Sequence, residues 1–180
     1  RDDGLEIFRD VENFDKLDDL NEVLKKSNSV ILLKKHMNSE KKDGDRRYNP
    51  EIEKMISKLK NLESFMFAEY DTDLNSILVN CDYLITDYSG VVFDYLYLNK
   101  PIVLYVPDYE EFLSKNGFNL NIVEKKISKV VKKIDDLSDL IKSNKLDNIE
   151  KNISDNMIKT RNEVFPEKNE EIKNIINKLK

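Results

Sequence analysis

Short apolar runs alternate with amphipathic stretches along most of this 180-residue chain. Short apolar runs bounded by turn residues are typical of buried strands in a parallel sheet. The predicted strands are 29–34, 64–68, 83–86, 102–106 and, at an edge, 128–132. Between them, apolar residues recur at three- and four-residue spacing, which predicts helices. The predicted helices are 16–27, 51–61, 74–79, 89–98, 108–113, 135–143, 146–161 and 169–180.

This alternation of helices and strands predicts the α/β class, with a doubly wound parallel sheet and helices on both faces. Residues 1–14 show no clear periodicity. Residues 37–50 are predicted to form a polar, charged loop, with turn signals at Asp43-Gly44-Asp45 and Asn49-Pro50.

The most apolar part of the chain, residues 80–106, predicts one strand–helix–strand unit. Its helix is expected to begin at Ser89, a good N-cap, and to end before Pro101, which cannot continue a helix. The polar corner 87–90 then lies at the carboxyl end of a strand, where α/β proteins bind ligands. A serine hydroxyl, amides opened by a glycine and the helix dipole suit a phosphate or diphosphate. Ser89 and Asp87 serve equally well as plain helix caps.

Composition narrows the range of functions. Charged residues make up 36% of the chain and the net charge is −5, which argues against nucleic-acid binding as the main role. The single cysteine, Cys81, excludes an internal disulfide, and its place before a strand favours a core thiol over a reactive one. The sequence contains no His-Glu-x-x-His motif and no cysteine–histidine cluster, and we predict no bound metal and no cofactor. No apolar run approaches the roughly 20 residues of a membrane span, which favours a cytoplasmic location.

His36 is the only histidine, so a general acid or base with a pKa near neutral must be this residue or lie outside the chain. It follows a predicted strand and is expected at the same sheet edge as Asp87, although a histidine on a surface loop is the simpler interpretation. The basic residues within 37–47 suit either an anionic ligand or solvent. The acidic cluster 108–111 forms either a carboxylate site or the first turn of a helix.

The longest motif runs from Asp82 to Tyr95 and reads Asp-Tyr-Leu-Ile-Thr-Asp-Tyr-Ser-Gly-Val-Val-Phe-Asp-Tyr. The elements around it, in order, are Arg1-Asp2, Leu33–His36, Asp73–Asn75, Lys100–Tyr105, Asp108–Phe112 and Gly117-Phe118. In residues and order, roughly 1–141 resemble the C-terminal half of the CDP-glycerol glycerophosphotransferases. These enzymes build or prime the poly(glycerol phosphate) chains of teichoic acids and related capsules.

The chain departs from that family at three places. Gly90 stands where the family often has a second serine, Met37 follows the histidine, and 124–127 replaces a Pro-Gly-Pro-like element that many members carry.

The resemblance implies a Rossmann-like, donor-binding domain over residues 1–145, the C-terminal half of a two-domain GT-B fold. The helices of 146–180 are expected to pack on it or on a missing N-terminal domain. The resemblance also implies that His36 acts in catalysis. The residues that it places at the donor diphosphate or nucleotide are Asp87, Tyr88, Ser89, Gly90 and Arg1, with Asp94, Asp108 and Glu111 as further candidates.

The implied reaction transfers glycerol phosphate from CDP-glycerol, or ribitol phosphate from CDP-ribitol, to a teichoic-acid-like or capsular polymer and releases CMP. The implied partners are the nucleotide-linked donor, a polyol-phosphate or lipid-linked acceptor and the missing N-terminal domain. We expect the full-length protein to lie peripherally at the inner face of the cell membrane, and this half alone to be inactive. Two alternatives are the same half of a GT-B glycosyltransferase that uses a nucleotide sugar, and a non-catalytic α/β binding module.

Overall fold

The computed structural model of the chain describes residues 8, 10–11, 14–34, 50–69, 71–116, 120–143, 145–146, 150–165 and 174–178. Its strands are β1 (Ile31–Leu33), β2 (Phe65–Phe67), β3 (Leu84–Thr86), β4 (Ile102–Tyr105) and β5 (Lys129–Val131). Its α-helices are α1 (Asp15–Lys26), α2 (Pro50–Lys60), α3 (Leu74–Asn80), α4 (Val91–Tyr95), α5 (Tyr109–Asn116), α6 (Ile134–Lys142) and α7 (Lys151–Val164). A 3₁₀ turn, Leu96–Leu98, continues α4, and residues 174–178 are also helical.

All strand pairs are parallel, which confirms the predicted fold class. β1 pairs with β2, and β3, β4 and β5 form a three-stranded sheet with β4 in the centre. Within that sheet Leu84 lies opposite Ile102, and Val103 lies opposite Lys129. The carboxyl ends of these three strands therefore meet at one edge, which we call the carboxyl edge.

The chain divides into two compact units. One comprises Arg1–Thr72 and Lys133–Ser143, and the other comprises Asp73–Lys132 and Asn144–Lys180. The domain boundary that the sequence places at residue 145 stays a prediction.

The first unit is built around α1. Its apolar face is buried as its spacing predicts, and the buried residues are Leu17, Leu20, Val23 and Leu24. The chain returns to this unit with α6, which contacts α1 and buries Ile134, Leu137 and Ile141. The Ile134 amide at the start of α6 donates to Asp10 Oδ2 at 2.7 Å. Asn21, buried on α1, accepts from the Ser64 amide at 3.0 Å just before β2.

The second unit is built around β4, whose residues are all buried. Its core also contains Val92, Tyr95 and Leu96 of the α4 segment, Ile122 and Ile127 before β5, and Met157 of α7. Asn99 ends the α4 segment in the left-handed conformation at φ 50°, and Pro101 follows, as the sequence predicts. This packing holds β3 and α4 in a fixed relation and so fixes the corner between them.

Candidate functional site

The corner 87–90 connects the end of β3 to the start of α4. Thr86 is buried, Asp87 and Tyr88 are half-buried, and Ser89 and Gly90 are exposed. The prediction that Ser89 is the N-cap is wrong by one residue, because the N-cap of α4 is Gly90. The Ser89 hydroxyl nevertheless accepts a long hydrogen bond of 3.4 Å from the Val91 amide.

Two backbone amides of this corner are available to bind a ligand. Within the described part of the chain, the N–H groups of Ser89 and Gly90 donate no hydrogen bond. A Cβ added at Gly90 would meet nothing within 4 Å, and its backbone is ordinary for any residue at φ −61°. The glycine is therefore not needed for the turn, and its amide belongs to an exposed residue. Uncovered amides at the start of a helix favour the binding of an anion.

Tyr88 links the corner to the next strand end. Its ring stacks on Phe112 of α5, with centroids 3.9 Å apart and an interplanar angle of 18°. Its hydroxyl donates to Asp108 Oδ1 at 3.2 Å. The structure thus brings together two predicted site residues, Tyr88 and Asp108, which stand 20 positions apart in the sequence.

A third strand end supplies a cation that the sequence analysis missed. Lys132 follows β5 directly, and its ammonium lies 3.1 Å from Glu110 Oε1 and 5.1 Å from the centre of the Tyr109 ring. The Tyr109 hydroxyl accepts from the Asn121 amide group at 3.1 Å. The sequence analysis placed Lys132 inside the predicted strand 128–132, and it is the shorter β5 of the structure that puts it after the strand, at the edge where α/β proteins bind ligands.

A hydrogen-bonded clamp supports the start of β3 from behind. Lys100 donates to the carbonyl oxygens of Val79 at 2.8 Å and Cys81 at 2.7 Å. The buried Tyr95 donates its hydroxyl to the same Cys81 oxygen at 3.0 Å. Burial raises the pKa of Tyr95 and of the half-buried Cys81 thiol, so both stay protonated at neutral pH. These hydrogen bonds fix the position at which β3 begins. They therefore also help to fix the position of the corner 87–90 at the other end of β3.

Two of the further candidates lie apart from these contacts. Asp94 is exposed on α4, and within the described residues its carboxylate makes no hydrogen bond or ion pair; desolvation raises its pKa. Glu111 accepts from Lys115 at 2.6 Å along α5. His36 and Arg1 lie outside the residues that the structure describes, so their predicted roles remain predictions.

Two other features bear on the kind of site. In the described ranges, no group of three metal-ligating side chains comes together. An open cavity of about 270 Å³ lies between residues 124–126 and α7, lined by Asn156, Lys159, Thr160 and Glu163. None of the predicted site residues that the structure describes lines this cavity. We place the candidate site at the carboxyl edge because the strand ends and the Ser89 and Gly90 amides meet there.

The fold is thus parallel α/β and Rossmann-like, with polar groups converging at its carboxyl edge. A model of the family described as CDP-Glycerol:Poly(glycerophosphate) glycerophosphotransferase matches residues 9–171. The chain belongs to this family, which confirms the resemblance found in the sequence.

Curated relatives include two polymerases from Bacillus. The chain is 33% identical over 73 residues to a teichoic acid poly(ribitol-phosphate) polymerase of Bacillus spizizenii, which is 41% of this chain and 12% of that protein. It is 32% identical over 80 residues to a teichoic acid poly(glycerol phosphate) polymerase of Bacillus subtilis, which is 44% of this chain and 11% of that protein. A teichoic acid ribitol-phosphate polymerase of Staphylococcus aureus is 26% identical over 117 residues, covering 64% of this chain and 18% of that protein.

A solved structure shows the same fold. The wall teichoic acid polymerase TagF superposes with a TM-score of 0.62 at 22% sequence identity, covering 93% of this chain and 38% of that one. The chain therefore spans less than half of the solved polymerase and under a fifth of the curated relatives given above.

Proposed function

We propose that this chain is the donor-binding domain of a phosphotransferase that uses CDP-glycerol or CDP-ribitol. In this proposal the complete enzyme transfers glycerol phosphate or ribitol phosphate to a teichoic-acid-like or capsular polymer and releases CMP. The observation that carries the proposal is the family match over residues 9–171, which spans both units and the whole carboxyl edge. The uncovered amides of Ser89 and Gly90 support the same proposal, because amides at the start of a helix can bind the donor's phosphates.

The reaction is a phosphoryl transfer. A terminal hydroxyl of the acceptor attacks the β-phosphorus of the donor, the bond from that phosphorus to the bridging oxygen breaks, and CMP leaves with the electron pair. The acceptor's proton passes to a base that we assign to the second domain of the enzyme. Charge grows on the phosphoryl oxygens and the leaving phosphate, so positioning and hydrogen-bond donors supply most of the acceleration.

The chain's residues take separate parts in this scheme. Ser89 and Gly90 hold the diphosphate through their amides, and Tyr88 keeps the corner against α5. Protonated His36 stabilises the leaving CMP or gives it a proton, and Arg1 contributes to donor binding.

The acceptor and the location complete the proposal. We assign the acceptor to the class of polyol phosphates, free or lipid-linked, and we place the enzyme peripherally at the inner face of the cell membrane. A second Rossmann-like domain would complete the site. None of the described helices has the length and apolar character that crossing a bilayer requires.

Calorimetric titration tests the proposal directly. The chain is titrated with CDP-glycerol, CDP-ribitol, CMP and a UDP-sugar under identical conditions. We expect both cytidine diphosphate donors to bind more tightly than the UDP-sugar, and the preferred donor identifies the polyol. Equal or tighter binding of the UDP-sugar would favour the glycosyltransferase reading, and no nucleotide binding at all would favour a non-catalytic module.

A further inference from the structure

The carboxyl edge carries acidic side chains, which repel an anionic donor. The segments that follow β3, β4 and β5 carry four carboxylates, namely Asp87, Asp108, Glu110 and Glu111. A diphosphate bound there meets these negative charges, and neutral amides offset the repulsion only in part. Two lysines, Lys132 and Lys133, follow β5, and of these Lys132 contacts the acidic segment after β4, at Glu110. Lys132 therefore brings a positive charge to this segment.

Lys132 is held in place but accessible. Its side chain is 51% exposed, and its ion pair with Glu110 is an exposed one, at 3.1 Å. Exposed ion pairs contribute little to stability, so a phosphate oxygen can replace the carboxylate at small cost. The Tyr109 ring below the ammonium, at 5.1 Å, keeps the lysine near this edge when its carboxylate partner changes.

Lys132 also lies within reach of a ligand seated at the corner. Neighbouring strands are about 4.8 Å apart, so β5 lies roughly 10 Å from β3, across the central β4. The contacts bridge that span without a break, because the Tyr88 hydroxyl meets Asp108, and Tyr109 follows it beneath Lys132. The corner and the lysine are thus two ends of one surface.

We propose that Lys132 binds the diphosphate of the nucleotide donor and exchanges the Glu110 carboxylate for a phosphate oxygen when the donor arrives. This inference rests on the proposed function and adds to it a residue that supplies positive charge.

Charge-removing variants of the chain test the proposal by titration with CDP-glycerol and CDP. We expect Lys132→Ala to weaken binding of both about ten- to hundred-fold, since a charge-assisted hydrogen bond is lost. Lys132→Arg keeps the charge and should recover most of the affinity. The matched control is Lys129→Ala, which removes a lysine from the same strand at its other end, where it pairs with Glu150 at 2.7 Å. It should bind like the wild type.

Glu110→Gln gives a second, independent readout. Without a carboxylate to displace, Lys132 should bind CDP-glycerol at least as tightly as in the wild type. A fall in affinity in this variant would contradict the exchange. Thermal unfolding of each variant separates loss of binding from loss of folding.

The outcomes distinguish the two proposals. If the wild type binds no cytidine nucleotide, the proposed function fails. If the wild type binds CDP-glycerol and Lys132→Ala binds it equally well, the function stands and the role of Lys132 is refuted.

Discussion

At the scale of single residues, the proposed site uses a backbone group as well as side chains. Gly90 has room for a Cβ and an ordinary φ of −61°, yet its amide stays uncovered and has no partner among the described residues. That φ is also the one that proline adopts, near −65°. Alanine and proline at this position therefore differ in whether the amide hydrogen is present and in the restriction that proline places on the backbone of Ser89.

We predict that Gly90→Ala binds CDP-glycerol as the wild type does, whereas Gly90→Pro loses about ten- to hundred-fold in affinity. The loss corresponds to one hydrogen bond to a charged group, about 1.5–3 kcal/mol. Calorimetry measures both affinities, and far-ultraviolet circular dichroism with thermal unfolding checks that the two variants fold alike. Full affinity in a folded Gly90→Pro variant would remove this amide from the site.

The residues of the site differ in how far the sequence alone could predict them. The corner 87–90 lies within one continuous motif, so its residues could be predicted from neighbouring positions in the sequence. The contact of Tyr88 with Asp108 and the place of Lys132 depend on which strands are neighbours. Sequence spacing carries no information on that pairing, and this is why Lys132 was missed.

At the scale of elements, helix α3 leads directly into β3, the strand that ends at the corner 87–90. Asp73 caps this helix, and its carboxylate accepts from the Ser76 amide at 2.8 Å and the Ser76 hydroxyl at 2.9 Å. These hydrogen bonds lower the pKa of Asp73 below its ordinary value of 3.8. The sequence predicted the cap as Thr72 or Asp73, and the structure selects Asp73.

The lowered pKa sets the pH dependence that we expect. A carboxyl group whose pKa is depressed in the folded state stabilises above its unfolded pKa, and this contribution disappears as the pH falls through the folded value. We predict that Asp73→Ala lowers the urea midpoint at pH 7 and that its difference from the wild type shrinks as the pH falls below about 4. Urea unfolding at a series of pH values measures this difference.

The control for this effect is Asp73→Asn, which still caps a helix but does not titrate. The difference in urea midpoint between Asp73→Asn and Asp73→Ala should be independent of pH. If the gap between wild type and Asp73→Ala stays constant down to pH 2, the cap carboxylate does not act through its ionised form.

Helix α1 was predicted more closely than strand β1, for a physical reason. The four apolar positions of α1 repeat at helical spacing, and the structure buries all four, with bounds shifted by one residue. The strand predicted at 29–34 is only Ile31–Leu33, because strand ends are set by pairing with another segment. A helix forms its hydrogen bonds locally, whereas a strand needs a distant partner.

At the scale of the whole molecule, we propose that this chain holds the donor side of a transfer reaction. The proposed donor site lies within Asp73–Lys132 and Asn144–Lys180, and β3, β4 and β5 build its edge within that one unit. The acceptor and the base for its hydroxyl are assigned to the second domain. Binding and turnover should therefore be separable, with the 180-residue chain binding the donor and transferring nothing.

His36 provides the test of that separation. In a longer protein that joins this chain to the proposed second domain, we predict that His36→Ala lowers kcat about 10²- to 10⁴-fold, the range for a general acid. The affinity for CDP-glycerol should change far less, because the Ser89 and Gly90 amides remain. If His36 acts in its protonated form, wild-type kcat falls as the pH rises through the histidine's pKa, ordinarily about 6.5, and the alanine variant lacks this fall. Steady-state rates across this pH range measure it, and undiminished transfer by His36→Ala would move the acid to a residue of the second domain.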